Sequence, residues 1–328
     1  MAAGVGTAAS FAAGTAFAEN TTEEKETSGH EIGGHWKTHP HKALIGAPSE
    51  ETLKAWKDAG FEGYESTNHG ASPEEAEAAR ALAEKHGLRI HSVMFGWANF
   101  NKPANVDGDI AAMETALKTA HAYGADTVLL VPCRIDTKQA KLPNPWEFDI
   151  RFDEKTGHLK QVVSGDNSPF ADYMAVHNQS SDAARAAVKR LIPMAEKQGI
   201  IVAIENVWNN MWVVPEFHKC LIEYFESPWV RAYFDIGNHV KYCPALNPPE
   251  KWITTLGKLI VKMHVKDYKL GPENHDGTWA KIREGSVHWR AVRAAIEEIG
   301  YSGWMSIESD MLSPAEHGKR FDMILAGE

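Results

Sequence analysis

Ile200-Ile201-Val202-Ala203-Ile204-Glu205 is the stretch on which the fold turns: five apolar residues that run straight into an acid. The same design returns in Tyr233-Phe234-Asp235, in Leu259-Ile260-Val261-Lys262-Met263-His264 and in Trp304-Met305-Ser306-Ile307-Glu308. Short apolar runs separated by amphipathic stretches read as buried strands of a parallel sheet covered by helices. Working outward from these four, the pattern predicts eight strands, over residues 43–47, 61–65, 89–94, 127–132, 200–205, 231–235, 260–264 and 305–308. Helix signals lie between them. Ser72-Pro73-Glu74-Glu75 is a cap followed by proline and acids, leading into a helix over 76–86, and Gly60, Gly87, Gly124, Gly199 and Gly300 stand where helices stop before the next strand. Eight such units predict a single α/β barrel of the (β/α)8 TIM type over residues 42–328. The rival is an open doubly wound sheet, but no GxGxxG follows the first strand and no GxxxxGK[ST] is found.

One stretch breaks the rhythm. Residues 134–180 separate the fourth strand from a helix expected near Asp182, which is long for a strand-to-helix connection. Within this insertion 146–152 alternates, Asp153 to Gly157 supplies a turn and 158–163 returns, so a β-hairpin is expected. Its place after a strand end puts it on the C-terminal face, as a partial lid or as a contact between copies of the chain in a homo-oligomer. Residues 1–41 stand apart: Ala2 to Ala18 is small and apolar and closes on Ala16-Phe17-Ala18, ahead of a polar run. That predicts a signal-like segment and export to the periplasm, although no basic n-region precedes it; a cytoplasmic protein with an Ala/Gly tail is the alternative. Gly, Thr and Ser interrupt the stretch, so no stable membrane insertion is expected.

The chain of 328 residues is 43% hydrophobic and 24% charged, a balance that supports a sizeable core. Its net charge of −10 and the lack of basic runs exclude a phosphate-backbone footprint, so no nucleic-acid partner is expected. Cys133, Cys220 and Cys243 form no CxxC pair and read as buried thiols.

Parallel barrel strands point one way, so Glu205, Asp235, His264 and Glu308 converge on one face although they lie roughly 30 to 45 residues apart. Three carboxylates and one imidazole suit one divalent ion, Mn2+ or Mg2+ before Co2+ or Zn2+. Clustered carboxylates repel one another without a cation. Lys266 follows the histidine by two and serves either to neutralise an anionic group or as a solvated surface cation. Trp208, Trp97 and Phe95 lie just past strand ends, positioned to stack on a bound ligand or to pack the rim. His91 sits mid-strand and reads as a hydrogen-bonded core residue. Arg283 and Glu284 fall in the loop after the seventh strand, to close on substrate or to pair with each other at the surface.

The segments Ala203-Ile204-Glu205-Asn206-Val207-Trp208, Tyr233-Phe234-Asp235-Ile236-Gly237-Asn238, Met263-His264-Val265-Lys266-Asp267 and Arg283-Glu284-Gly285-Ser286-Val287 resemble the xylose isomerase-like TIM barrels. The likeness is to their sugar phosphate isomerase/epimerase branch and runs from about Lys42 to Gly327. It implies that Glu205, Asp235, His264 and Glu308 ligate the metal and that Glu205 and Glu308 double as the catalytic acid/base pair. It also implies a substrate contact three residues past the aspartate, here Asn238; tagatose-type epimerases carry a histidine there, and this chain has His239 one position later. Substrate binding is thus expected from Asn238, His239, Lys266 and Trp208. The implied activity is metal-dependent isomerisation or epimerisation of a small sugar, a ketose or ketose phosphate, through an enediolate. Elimination from a keto-sugar, keto-glycoside or inosose, and a sugar-binding barrel without turnover, are the alternatives. A nuclease of this fold would need a basic surface that the sequence lacks.

Overall fold

Apolar runs too short for core helices lie side by side here as strands, and each following amphipathic stretch turns its apolar stripe back onto them. The structure, a computed structural model, describes residues 36–242 and 244–328. In chain order the strands are β1 (His41–Gly46), β2 (Gly63–Ser66), β3 (Arg89–Trp97), β4 (Thr127–Val131), β5 (Phe148–Phe152), β6 (Leu159–Val163), β7 (Ile201–Glu205), β8 (Val230–Asp235), β9 (Ile260–Val265), β10 (Asp267–Leu270), β11 (Gly277–Ala280) and β12 (Trp304–Ile307). The helices are α1 (Glu50–Asp58), α2 (Pro73–Lys85), α3 (Val106–Tyr123), α4 (Ala171–Gln198), α5 (Pro215–Glu223), α6 (Pro249–Leu256), α7 (Trp289–Glu298) and α8 (Pro314–Ala326). Strands β1, β2, β3, β4, β7, β8, β9 and β12 pair in that order and close back on β1, all parallel. The fold is a (β/α)8 barrel.

Local chemistry sets the element ends. The Ser72 hydroxyl accepts from the Glu75 amide while the Glu75 carboxylate accepts from the Ser72 amide, a reciprocal cap that starts α2. Helices α3 and α4 stop at Gly124 (φ 71°) and Gly199 (φ 68°), whose left-handed backbone would strain any side chain. Gly60, Gly87 and Gly300 share that conformation.

Two cores result. The larger lies between barrel and helices and includes Phe61, Leu117, Phe217, Phe234, Trp252 and Phe321. Burying side chains of this size contributes about 1.5–3 kcal/mol each. The smaller fills the barrel interior with Leu129, Val131, Ala203 and Tyr233. The interior also holds buried polar groups: Glu65, His91, Ser92 and Ser306.

The insertion departs from expectation in two ways. Helix α4 begins at Ala171, not near Asp182, because polar-looking residues 171–181 include Tyr173 and His177, which are buried against Phe148, Trp212 and Phe217. Tertiary packing overrides a weak local pattern. The hairpin β5–β6 is present, antiparallel. It lies along the flank, with Phe152 stacked on Phe217 of α5 at 4.5 Å and Phe148 between Tyr173 and Tyr242. Its leading edge also reaches the β10–β11 side: Trp146 stacks at 4.2 Å on His275, in the turn of the unanticipated β10–β11 hairpin.

Among the described residues no helix is long and apolar enough to cross a membrane. The signal-like stretch Ala2 to Ala18 and Cys243 lie outside the described residues. Cys133 is buried as expected, whereas Cys220 is only partly so.

Candidate metal centre

Register brings the four strand ends together. Asp235 of β8 is the direct neighbour of His264 on β9, Glu205 of β7 neighbours Tyr233, and Ile307 of β12 neighbours Val265. Glu308 lies one residue past β12, its amide donating to the Val265 carbonyl at 3.1 Å. Alternation along a strand then turns the side chains of positions 203 and 205, 233 and 235, 262 and 264, and 306 and 308 toward the barrel axis.

The outcome is a tight cluster. His264 Nδ1 is 3.1 Å from Glu205 Oε1, 3.3 Å from Glu308 Oε2 and 3.8 Å from Asp235 Oδ2. One ligand atom from each of the four residues lies within 4.8 Å of all the others. Glu205, Asp235 and His264 are buried, while the Glu308 side chain is 34% exposed and marks the open side.

Neighbouring polar groups orient the ligands. Asp235 Oδ1 accepts from the Gly237 and Asn238 amides, and Asn206 grips the Asp235 backbone through both its amide atoms. Asp235 Oδ2 is left buried without a hydrogen-bond partner. An orphaned carboxylate oxygen aimed among two more carboxylates and an imidazole nitrogen is the donor set of a hard divalent cation, so these residues fit one.

Charges here are strongly perturbed. Burial pushes the Glu205 carboxyl above the usual range. Asp235 is pushed up to about 8, by burial first and by Glu308 and Glu205, with Lys266 pulling the other way. For Glu308 burial is outweighed by the hydrogen bond and charge of His264 and by Lys266, which hold its carboxyl low. Burial likewise fails to neutralise His264, which Glu65, Glu205 and Glu308 hold well above the ordinary imidazole range.

Residues 53–322 match the family described as xylose isomerase-like TIM barrel. The chain belongs to this family. An uncharacterized protein of Methanocaldococcus jannaschii is 28% identical over 139 residues, 41% of this chain and 45% of the relative, so the match spans less than half of that protein. Among solved structures, 3-keto-D-glucoside 4-epimerase from E. coli superposes with a TM-score of 0.62 at 13% identity over 87% of this chain and 98% of its own. Mannonate dehydratase from Streptococcus suis gives 0.62 at 13% over 88% and 94%. At such identities the likeness is one of fold.

Within this xylose isomerase-like barrel, two further expected residues join the cluster. Lys266 Nζ is 2.8 Å from Glu308 Oε2 and 3.9 Å from Asp235 Oδ2, so it is a partly buried counter-charge and not a freely solvated lysine. Asn238 Nδ2 donates to the Asn206 carbonyl at 3.0 Å and reaches Glu205 Oε1 at 3.4 Å. Two others are engaged with neighbouring side chains. His239 is buried, its Nδ1 3.2 Å from Asn206 Nδ2 and its ring against Trp252 at 4.7 Å and Tyr242 at 4.9 Å. Trp208 has Trp279 stacked at 4.6 Å and the Lys241 ammonium 3.3 Å from its ring centre, so its faces are taken. Trp97, at the end of β3, is 44% exposed, and the Arg134 guanidinium lies over its ring. Phe95 packs on His69.

His91 is a core residue, bonded to Ser306 at 3.0 Å and stacked on Trp304. Arg283 and Glu284 do not pair with each other: the Arg283 amide donates to Asp267, and Glu284 pairs with Arg320 of α8. The sequence reading passed over Glu65. This residue ends the second expected strand, Phe61-Glu62-Gly63-Tyr64-Glu65, and its Oε2 lies 2.7 Å from His264 Nε2. Its place at the end of that strand was the available signal, hidden because Glu62 and Gly63 interrupt the apolar run.

Proposed function

We propose that the protein is a metal-dependent sugar isomerase or epimerase that acts on a ketose or ketose phosphate through an enediolate. The observation that carries this reading is the placement of Glu205 and Glu308. They come from strands separated by β8 and β9, yet both reach His264 Nδ1, at 3.1 and 3.3 Å. Two carboxylates that approach one point from different strands can take a proton from one face of a bound sugar and return one to the other. A divalent ion held by Glu205, Asp235, His264 and Glu308, Mn2+ or Mg2+ before Co2+ or Zn2+, supplies the positive charge that stabilises enediolate oxygens.

The chain's own groups do the rest. Lys266 keeps the Glu308 carboxylate ionised and aimed into the site, and presents an ammonium to negative charge on the substrate. Asn238, held by Asn206, orients Glu205. Trp279, stacked on Trp208 and under the Lys266 ammonium at 4.5 Å, walls the site on the β10–β11 side and keeps water from that edge. The Trp97 ring, 44% exposed with the Arg134 guanidinium over it, offers aromatic surface for a sugar face.

The test is solvent exchange. A panel of free and phosphorylated ketoses and 3-keto-glycosides is incubated with metal-loaded protein in D2O. Deuterium should enter the carbon beside the carbonyl, at C3 with two stereoisomers for an epimerase, or at C1 or C2 with an aldose for an isomerase. An unsaturated keto-sugar would instead assign elimination, the reaction class to which the dehydratase neighbour points. Glu205→Gln and Glu308→Gln should each lose about 10²–10⁴-fold in rate with the fold retained, since the amide keeps the shape but accepts no proton. Bound metal with neither exchange nor product across the panel would leave a sugar-binding barrel and sink the catalytic reading.

A further inference from the structure

We infer that Glu65 is a positioning residue of the metal centre, fixing which ring nitrogen of His264 faces the ion; this rests on the metal reading of the site. His264 Nδ1 points into the carboxylate cluster, so its Nε2 must be satisfied from below. Glu65 Oε2 does this at 2.7 Å. An imidazole that donates Nε2–H to a carboxylate presents a bare Nδ1 lone pair to the cation, with its basicity raised by the charge behind it.

Glu65 is itself clamped. Ser92 Oγ donates to its Oε1 at 2.9 Å and the Tyr233 hydroxyl to its Oε2 at 3.2 Å. Both partners, like Glu65, are buried inside the barrel. The Tyr233 ring also lies against the His264 ring, centroids 4.5 Å apart, so rotation of the imidazole would collide with it. Burying a carboxylate in a barrel core is unfavourable unless every lone pair has work. Here its shortest contact is to the ligand ring, and the other two hold the carboxylate in place for it.

The reading separates from a merely structural buried acid by metal affinity. Removal of such an outer partner typically lowers metal affinity 10–100-fold. Full-length wild-type and Glu65→Gln proteins are stripped with chelator and titrated with Mn2+, with free Mn2+ followed by EPR and melting temperature recorded in parallel. The expected result is a 10–100-fold rise in Kd for Glu65→Gln. Ser92→Ala, which leaves the carboxylate on the ring, should lose only a small part of that affinity. Equal Mn2+ affinity in wild type and Glu65→Gln overturns the positioning role, whatever the melting temperatures do. Wild-type protein that takes up no Mn2+ overturns the metal site, and this inference with it. Should Glu65→Gln fail to fold, 15N spectra of histidine in Mg2+-loaded wild type decide: a proton on Nε2 of His264 upholds the role, and a proton on Nδ1 overturns it.

Discussion

Adding Mn2+ to the metal-free protein should raise its melting temperature, and Asp235→Asn should abolish that response while leaving the metal-free protein almost untouched. The magnitudes follow from the cluster. Its ligand atoms lie within 4.8 Å of one another, and at an effective dielectric of about 20 two like charges that far apart repel by about 3.5 kcal/mol. Such repulsion, added to burial, is why the Asp235 carboxyl is pushed up to about 8 and holds a proton at pH 7 when no cation is present. An amide closely imitates a protonated carboxyl, so the metal-free variant should melt within about 2 °C of wild type, about 1 kcal/mol for a domain this size. With Mn2+ at 100 times its Kd, wild type gains about 2.7 kcal/mol. At about 1.5–2 °C per kcal/mol for a barrel of this size that is a rise of roughly 4–5 °C. The variant loses a buried carboxylate oxygen that no hydrogen bond satisfies, and at the same Mn2+ its rise should be under about 2 °C. Scanning calorimetry on chelator-treated protein at pH 7 measures all four values. An equal rise in both proteins would place the ion elsewhere, and no rise in wild type would mean that His264 and Lys266 alone balance the carboxylates.

Two structural predictions follow from the flank and the base of the barrel. Phe148→Ala should destabilise the protein by about 3–5 kcal/mol in urea unfolding, because this ring is buried between Tyr173 and Tyr242; a loss under about 1 kcal/mol would show the hairpin to be a loose appendage. For the same reason deleting residues 142–166 should destabilise the barrel and not merely alter substrate range. At the base, Glu297 accepts from the Lys37 and Thr38 amides and the Thr38 hydroxyl, and chiefly that hydroxyl bond holds its carboxyl down to about 2. A depressed carboxyl stabilises docking of residues 37–38 fully above its ordinary value of 4.5, and that contribution disappears as pH falls through about 2. Amide exchange at Lys37 and Thr38, corrected for intrinsic rate, should lose protection over that window, and Glu297→Gln should show the loss already at pH 7; unchanged protection in either case rejects the clamp.

The sequence by itself determined the staves, their direction and the four polar residues at their ends, because these are local facts. An apolar run that stops at Glu205, Asp235 or His264 is written in consecutive residues, and the glycines that end α3 and α4 mark the return to the next strand. Parallel direction then carries the ends to one face without knowledge of any contact. Glu308 was read from the same pattern, although it sits one residue past β12 and reaches the cluster from there. Tertiary structure decided whatever depends on closure. Glu65 and His264 are 199 residues apart, and only a closed barrel sets the second strand beneath the seventh. Closure likewise set Lys266 against Glu308, sandwiched Trp208 between Trp279 and Lys241, and brought His239 against the ring of Trp252. The start of α4 was hidden for the same reason: Tyr173 and His177 acquire an apolar environment only once the hairpin packs on them. A pattern along the chain records which face of a strand or helix is apolar, whereas the partner of a polar group inside a barrel is set by what lies across the axis.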